Sequence, residues 1–407
     1  ERSSLFGWDV GWETNRNLDM NWTYRPNIAA WLTPQLAVDT RFRMSRGASF
    51  VTEVEGDTVL TRDFGNSRTL RFSTGFNLAS LLRDLLGEER TGTVGTLLGL
   101  VDRIDLFTIT WIGSLASNYQ RRTADPSLRY QLGIHGFGGV VVQDADSASR
   151  VNDNKSLTLG GGVRLPTGLA VTVEYANNDG LVWTPRSQTT SRTTTWPSLN
   201  LNWNRLPLPA FLQSWVSRLG LRAGYSLRTQ SSVVANATQD REGQIKTIPF
   251  NFDLMLTTDW SLNYNLTMTD EERRDPTGLT LGERLNQAVQ LTGRIRPLSR
   301  QGRLRNPIRL SLRLSQNDSD QCRRLGGVEL GGLPPGVSDS EFATCEPFTD
   351  LRIRSVDLTF STDVPPFAIG LQGSWRDTQS QLGQRPGSTQ LEISLFGQFL
   401  FETGELR

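Results

Sequence analysis

The ten residues Asn306–Ser315 read NPIRLSLRLS, and they decide the fold. Ile308, Leu310, Leu312 and Leu314 occupy every second position, with Arg309, Ser311 and Arg313 between them. A period of two sends successive side chains to opposite faces of an extended strand, so this stretch has one apolar and one wet face. The longer run Pro249–Thr269 does the same: Phe250, Phe252, Leu254, Leu256, then Trp260, Leu262, Tyr264, Leu266 and Met268. Asn251, Asp253, Ser261, Asn263, Asn265 and Thr267 lie between them. A tilted strand needs roughly nine to eleven residues to cross a bilayer. The reading is an all-β chain, an antiparallel transmembrane β-barrel.

The pattern recurs along the chain. It runs through Phe6–Trp12, Leu18–Tyr24, Leu36–Met44, Leu70–Phe76, Phe107–Leu115 and the Gly-rich Tyr130–Val142. It continues through Leu157–Leu165, Leu169–Tyr175, Leu199–Trp203, Leu219–Leu227, Val289–Ile295, Val356–Phe360, Ile369–Trp375 and Leu391–Phe401. About 16–18 strands result, within the bacterial barrel range. They form one domain, residues 1–407. The chain opens at Glu1 without an apolar leader, so a signal peptide has been removed or the sequence is cut from something longer.

Composition sets bounds. A 37% hydrophobic and 21% charged make-up is ordinary, as outer-membrane barrels with polar linings are. The sequence has no apolar run long enough for a transmembrane helix. The formal charge of +1 argues neither for nucleic acid nor for an acidic substrate, and no nucleic-acid partner is expected. From about residue 143 onward, polar stretches near 143–155, 178–195, 230–246, 269–285 and 316–350 alternate with short turns near 166–168, 258–259, 297–306 and 363–366. Long external loops and short periplasmic turns are the outer-membrane pattern. The stretch 316–350 reads as a long extracellular loop carrying both cysteines, Cys322 and Cys345, which an oxidising compartment would join. Two segments repeat at helical spacing, Leu78–Leu86 and Phe211–Leu219, and read as short amphipathic connector helices.

No catalytic or cofactor chemistry stands out, and no enzyme is expected. One histidine, His135, on the Gly-rich Gly133–Gly139 strand, and two cysteines leave no zinc ligand set. Gly160-Gly161-Gly162 lacks the lysine and helix of a phosphate loop and marks a bulge or close approach. The wet face carries Arg41, Arg43, Arg71, Arg222, Arg228, Asp253, Arg294, Arg309 and Arg313. Each arginine would cost roughly 2–4 kcal/mol against mid-bilayer lipid, so these residues are expected to face a lumen. Trp8, Trp12, Trp22, Tyr24, Trp31, Trp203, Trp260, Tyr264 and Trp375 are expected at the membrane–water interface, where an apolar ring and a polar edge are both satisfied.

Three passages resemble a known family. They are Trp22–Pro34, with its Trp-Leu-x-Pro connector; Pro197–Trp203 leading through Leu206-Pro-Leu-Pro209 and a short helix to Leu221–Tyr225; and the aromatic end Ser388–Phe401. Together they resemble the C-terminal part of the SprA (Sov) outer-membrane translocons of the type 9 secretion system. That resemblance implies that residues 1–407 are a C-terminal section of a longer chain and of a larger barrel, with a wide protein-export pore, exported cargo, and plug or periplasmic accessory partners. A conventional porin or a TonB-dependent uptake channel is the transport alternative. A surface-exposed structural or adhesive β-protein is the alternative from another class. Membrane lipid is the expected partner, and the outer membrane of a Gram-negative-type bacterium the expected location.

Overall fold

The computed structural model describes residues 4–5, 8–9, 13–47, 51–54, 57–86, 99, 101–123, 125–143, 146–208, 212–235, 240–257, 259–275, 278–295, 307–325, 345–364, 367–380 and 387–399. In chain order the strands begin with β1 (Ser4–Leu5), β2 (Trp8–Asp9), β3 (Asn15–Tyr24), β4 (Leu32–Ser45), β5 (Val51–Val54), β6 (Asp57–Leu60) and β7 (Arg62–Phe76). Next come β8 (Phe107–Arg122), β9 (Val142–Gln143), β10 (Asp146–Ser147), β11 (Arg150–Arg164), β12 (Leu169–Thr184), β13 (Ser187–Trp203) and β14 (Arg218–Val234). The last are β15 (Arg241–Thr257), β16 (Trp260–Asp275), β17 (Gly278–Ile295), β18 (Ile308–Leu325), β19 (Glu346–Val364), β20 (Phe367–Ser380) and β21 (Ser388–Phe399). The helices are α1 (Leu78–Leu86), α2 (Leu128–Gln131) and α3 (Phe137–Val141).

Fifteen of these strands form one antiparallel sheet, with strand order β21-β20-β19-β18-β17-β16-β15-β14-β13-β12-β11-β8-β7-β4-β3. The remaining six strands make three two-stranded ribbons. Neighbours in the large sheet are neighbours in sequence, apart from those ribbons and the helices. This is the all-β architecture read from the period of two, with fifteen strands in the large sheet among the described residues.

Contacts divide the chain into two compact units. The first comprises Glu1–Gly162, Glu174–Trp196 and Thr229–Glu242. Here one face of the sheet carries Leu36, Val38, Leu70, Phe72, Trp111, Ile109, Leu157 and Leu159 on cross-strand partner positions. Further along the same strands and the same face, Phe42, Met44, Phe64, Tyr119 and Val151 are buried. They are covered by the β8–β11 connection, which folds back through α2 and α3 and contributes Tyr130, Val140 and Ala148. Polar bonds fix this insert. Asn66 Nδ2 donates to the carbonyls of Tyr130 (2.7 Å) and Gln131 (3.0 Å), Arg68 Nη1 to that of Gly133 (2.8 Å), and the Tyr119 hydroxyl to that of Val140 (2.8 Å). Burial pushes the Tyr130 phenol up to about 12, with its hydroxyl 2.6 Å from Ser117 Oγ.

The insert corrects one expectation. Tyr130–Val142 is not a strand but two short helices, and His135 lies between them with Nε2 3.2 Å from Ser127 Oγ. Glycine weakens a strand and permits left-handed backbone, which Gly133 uses at φ 68°. At Gly133 a Cβ would come within 2.8 Å of Thr40 Cγ2, so the glycine also lets the insert sit directly on β4.

The second unit comprises Val163–Val173, Pro197–Arg228 and Gly243–Arg407. Its strands β16 to β21 pair in continuous antiparallel register. One transverse row reads Leu262–Leu291–Leu312–Leu358–Gly373–Ile393, and the row beside it reads Tyr264–Val289–Leu314–Val356–Trp375–Leu391. The helix Leu78–Leu86, in the first unit, forms where its spacing predicted. The connector expected over Phe211–Leu219 does not: residues 212–215 are a turn, and Leu219 already belongs to β14.

The expected long loops are also revised. Pro185 and Arg186 alone separate β12 from β13, residues 276–277 separate β16 from β17, and residues 235–240 separate β14 from β15. The supposed loop 316–350 starts and ends as strand, because β18 runs to Leu325 and β19 begins at Glu346. With water on both faces, these strand parts have no apolar face to make a period of two, so in sequence they looked like loops.

Candidate conducting surface

The chemistry lies on the face opposite the apolar rows. In the second unit that face reads Asn263–Gln290–Arg313–Asp357–Ser374–Glu392, then Ser261–Thr292–Ser311–Thr359–Gln372–Ser394. Every member is polar. Strand alternation forces this separation: any one-residue slip would bring arginines onto the apolar face.

Of the candidate lumen residues in the second unit, Arg294, Arg309 and Arg313 lie on this polar face. Arg313 stands opposite Asp357 and Gln290. Arg309 is 2.9 Å from Asp363 and opposite Arg294. Asp253 accepts a hydrogen bond from Asn263. Arg222 and Arg228 alternate in step with Gly220, whose missing side chain faces Asp253 Cβ at 3.6 Å. In the first unit Arg41 is 2.9 Å from Asp19, Arg43 is opposite Asn17 and Gly65, and Arg71 is opposite Ala37 and Ile112. Arg41–Asp19 in the first unit and Arg309–Asp363 in the second each pair opposite charges across neighbouring strands.

The aromatics divide. Trp22 and Tyr24 stack at 5.8 Å on the exposed apolar face at the end of β3, and Trp31 meets Phe76 edge-on at 5.6 Å. Trp203 ends β13 and donates from Nε1 to Thr167 O (2.9 Å). Trp260 begins β16, its ring filling the space a side chain at Gly293 would need. Trp375 occupies the last apolar row, one residue pair from Asp377. Tyr264 lies in the same transverse row as Trp375, between Leu262 and Leu266 along β16 and edge-on to Phe250. The side chain of Trp8 and all of Trp12 lie outside the described residues. Trp196, half-exposed against Tyr175, was missed because its strand Ser187–Trp203 is nearly all polar.

The apolar rows end abruptly. Beyond Leu314, Val356, Trp375 and Leu391 the same face continues as Gln316, Arg354, Asp377 and Thr389. Four carboxylates then stand side by side on adjacent strands, Asp270–Glu283–Asp320–Asp350. At this level the sulfur atoms of Cys322 and Cys345 are bonded, their Cα atoms 5.5 Å apart and both side chains buried. The cysteines thus tie the end of β18 to the residue before β19, not two points within a loop.

Large apolar side chains stay open on this face: Leu371, Leu314, Leu391, Ile393 and Leu395 are all exposed. Among the described residues no helix is long and apolar enough to cross a membrane. A sheet with one unpacked apolar face and one polar face is stable where lipid covers the first and water the second. This is the outer-membrane β-barrel type of fold, its apolar face suited to membrane lipid. Among the described residues no group of three or more His, Cys, Asp or Glu side chains is placed to hold a metal ion.

No family model and no curated protein matches this sequence. Solved structures do. The alcaligin outer-membrane receptor FauA of Bordetella pertussis is 12% identical, covering 96% of this chain and 66% of its own, with a TM-score of 0.36. The ferric-catecholate import receptor Fiu of Escherichia coli is 8% identical, covering 95% and 69%, at 0.34. The FrpB iron transporter of Neisseria meningitidis is 10% identical, covering 90% and 62%, at 0.33. The chain spans about two thirds of the length of these proteins. These matches are to receptors and importers, which contradicts the resemblance to the type 9 translocons. One of the passages behind that resemblance also differs in structure, since a turn stands where a short helix was expected after Pro209.

Proposed function

We propose that the chain forms the wall of an outer-membrane uptake receptor of the TonB-dependent type, in which a polar solute is captured beyond the membrane and then moves along the polar face. The observation that carries this reading is the height of the strands. In the second unit β16 to β19 are 16, 18, 18 and 19 residues long. The apolar run of β16 ends at Met268, leaving Asp270, Glu272 and Arg274 on the same face. About seven residues of paired strand therefore stand clear of lipid, roughly 20–25 Å along the strand. A diffusion pore needs a wall only as tall as the hydrocarbon it crosses. A wall wet on both faces that extends beyond it surrounds a solute before entry, which favours capture over simple sieving.

The similar structures include proteins named for siderophores and ferric chelates, so a ferric catecholate or hydroxamate chelate is the first ligand class to try. The test titrates such chelates into the purified full chain and follows tryptophan fluorescence. Uptake is then measured in cells with and without the energy-coupling proteins of the inner membrane. Saturable binding, with accumulation lost when coupling is removed, is the expected result. Steady ion conductance in planar bilayers with no saturable binding would replace the receptor with a porin.

A further inference from the structure

We infer that the β8–β11 insert is a rigid foot that rests in the lipid interface beside the apolar face of the first unit. This rests on the membrane setting alone and is independent of what the barrel transports.

Three observations converge. The first is position. Gly133 lies on Thr40 and accepts a hydrogen bond from Arg68, and these two residues are direct cross-strand partners. One residue pair along the same face stand Val38 and Leu70, the edge of the apolar rows. The lower edge of the insert is therefore continuous with the lipid-covered face.

The second is the character of that edge. Leu128, Ile134 and Val142 are 67%, 63% and 50% exposed. Each is the sequence neighbour of one member of a single hydrogen-bonded group, in which Ser127 Oγ lies 3.2 Å from His135 Nε2 and 3.3 Å from Gln143 Oε1. The three exposed apolar residues thus flank one bonded group in the sequence, with Ile134 next to the Gly133 contact.

The third is rigidity. The insert is held by a buried aromatic cluster in which Tyr130 meets Phe42, Phe64 and Tyr119 edge-on at 6.2, 5.6 and 5.7 Å. Three large apolar residues fixed beside a lipid-facing sheet leave water at no entropic cost of ordering. An apolar patch with polar groups behind it is also the chemistry of an interfacial segment.

The test uses the full chain in phosphatidylcholine vesicles, with an environment-sensitive fluorophore on I134C. The two native cysteines are bonded to each other and leave the new thiol as the labelling site. L128C carries the same label as a second reporter, and R43C, on the polar face, is the aqueous comparison. Folding of each variant is checked by heat-modifiability on a gel. The expected outcome is blue-shifted emission at I134C and L128C, quenched by nitroxide-labelled lipid and shielded from iodide, with the opposite pattern at R43C. Iodide access at both patch positions equal to that at R43C overturns the inference. So does shielding that vanishes when protein is diluted at constant lipid, which would mean a second copy covers the patch.

Discussion

Replacing Leu358 by arginine, and separately its neighbour Thr359, tests the two-faced sheet at a single point. Leu358 sits between Leu312 and Gly373 on the apolar face, while Thr359 sits between Ser311 and Gln372 on the polar one. Arginine at mid-bilayer costs about 2–4 kcal/mol, falling to about 0–1 near the interface. L358R should thus lose about 3 kcal/mol, a shift of about two orders of magnitude in the folding equilibrium. T359R exchanges one water-facing polar group for another and should stay within about 0.5 kcal/mol. The chain supplies its own depth marker: Arg354 stands on the same face as Leu358, two alternations away, where the opposing residues are Gln316 and Asp377. The assay is urea unfolding of each variant in lipid vesicles, read by heat-modifiability and tryptophan emission. Equal losses for the two variants, or a larger loss for T359R, would refute the assignment of faces and the membrane reading built on it.

Two further outcomes follow from particular bonds. Reducing Cys322–Cys345, or replacing both by serine, frees a segment closed over a sequence separation of 23 and should cost about 3 kcal/mol, seen as a lower urea midpoint. An unchanged midpoint would show that the strand ladder alone holds the ends of β18 and β19. Tyr130 carries a phenol raised to about 12 by burial, so its contribution is complete below pH 10, the unperturbed tyrosine value, and is lost as pH rises through about 12. Absorbance titration of the wild type against Tyr130→Phe should differ by one tyrosine that ionises only in that upper range, and ionisation of that tyrosine near pH 10 would contradict the burial of the insert.

The legible part of this protein is the part with lipid on one side. Ile308–Leu314 and Trp260–Met268 announce strand, face and span together, because only a contrast between solvents imprints a period of two. The same logic explains what was misread. Ser187–Thr195 and Asp270–Asp275 are strand with water on both faces, so nothing in them distinguishes ladder from loop. Tyr130–Val142 has the glycines and β-branched residues of a strand, and only its packing on Phe42, Phe64 and Tyr119 turns it into two short helices. The nine candidate lumen residues follow from alternation alone, but partners such as Asp19 for Arg41 and Asp363 for Arg309 are separated by 22 and 54 positions and come together only through register.

By itself, then, the sequence determined the class of fold, the two faces and the membrane, since each follows from local alternation. Tertiary structure decided the strand count, the walls standing beyond the lipid, the sulfur bond across two strand ends and the foot beside the sheet. Those depend on pairing between distant residues, and backbone hydrogen bonds across a ladder leave no trace in the order of side chains along one strand.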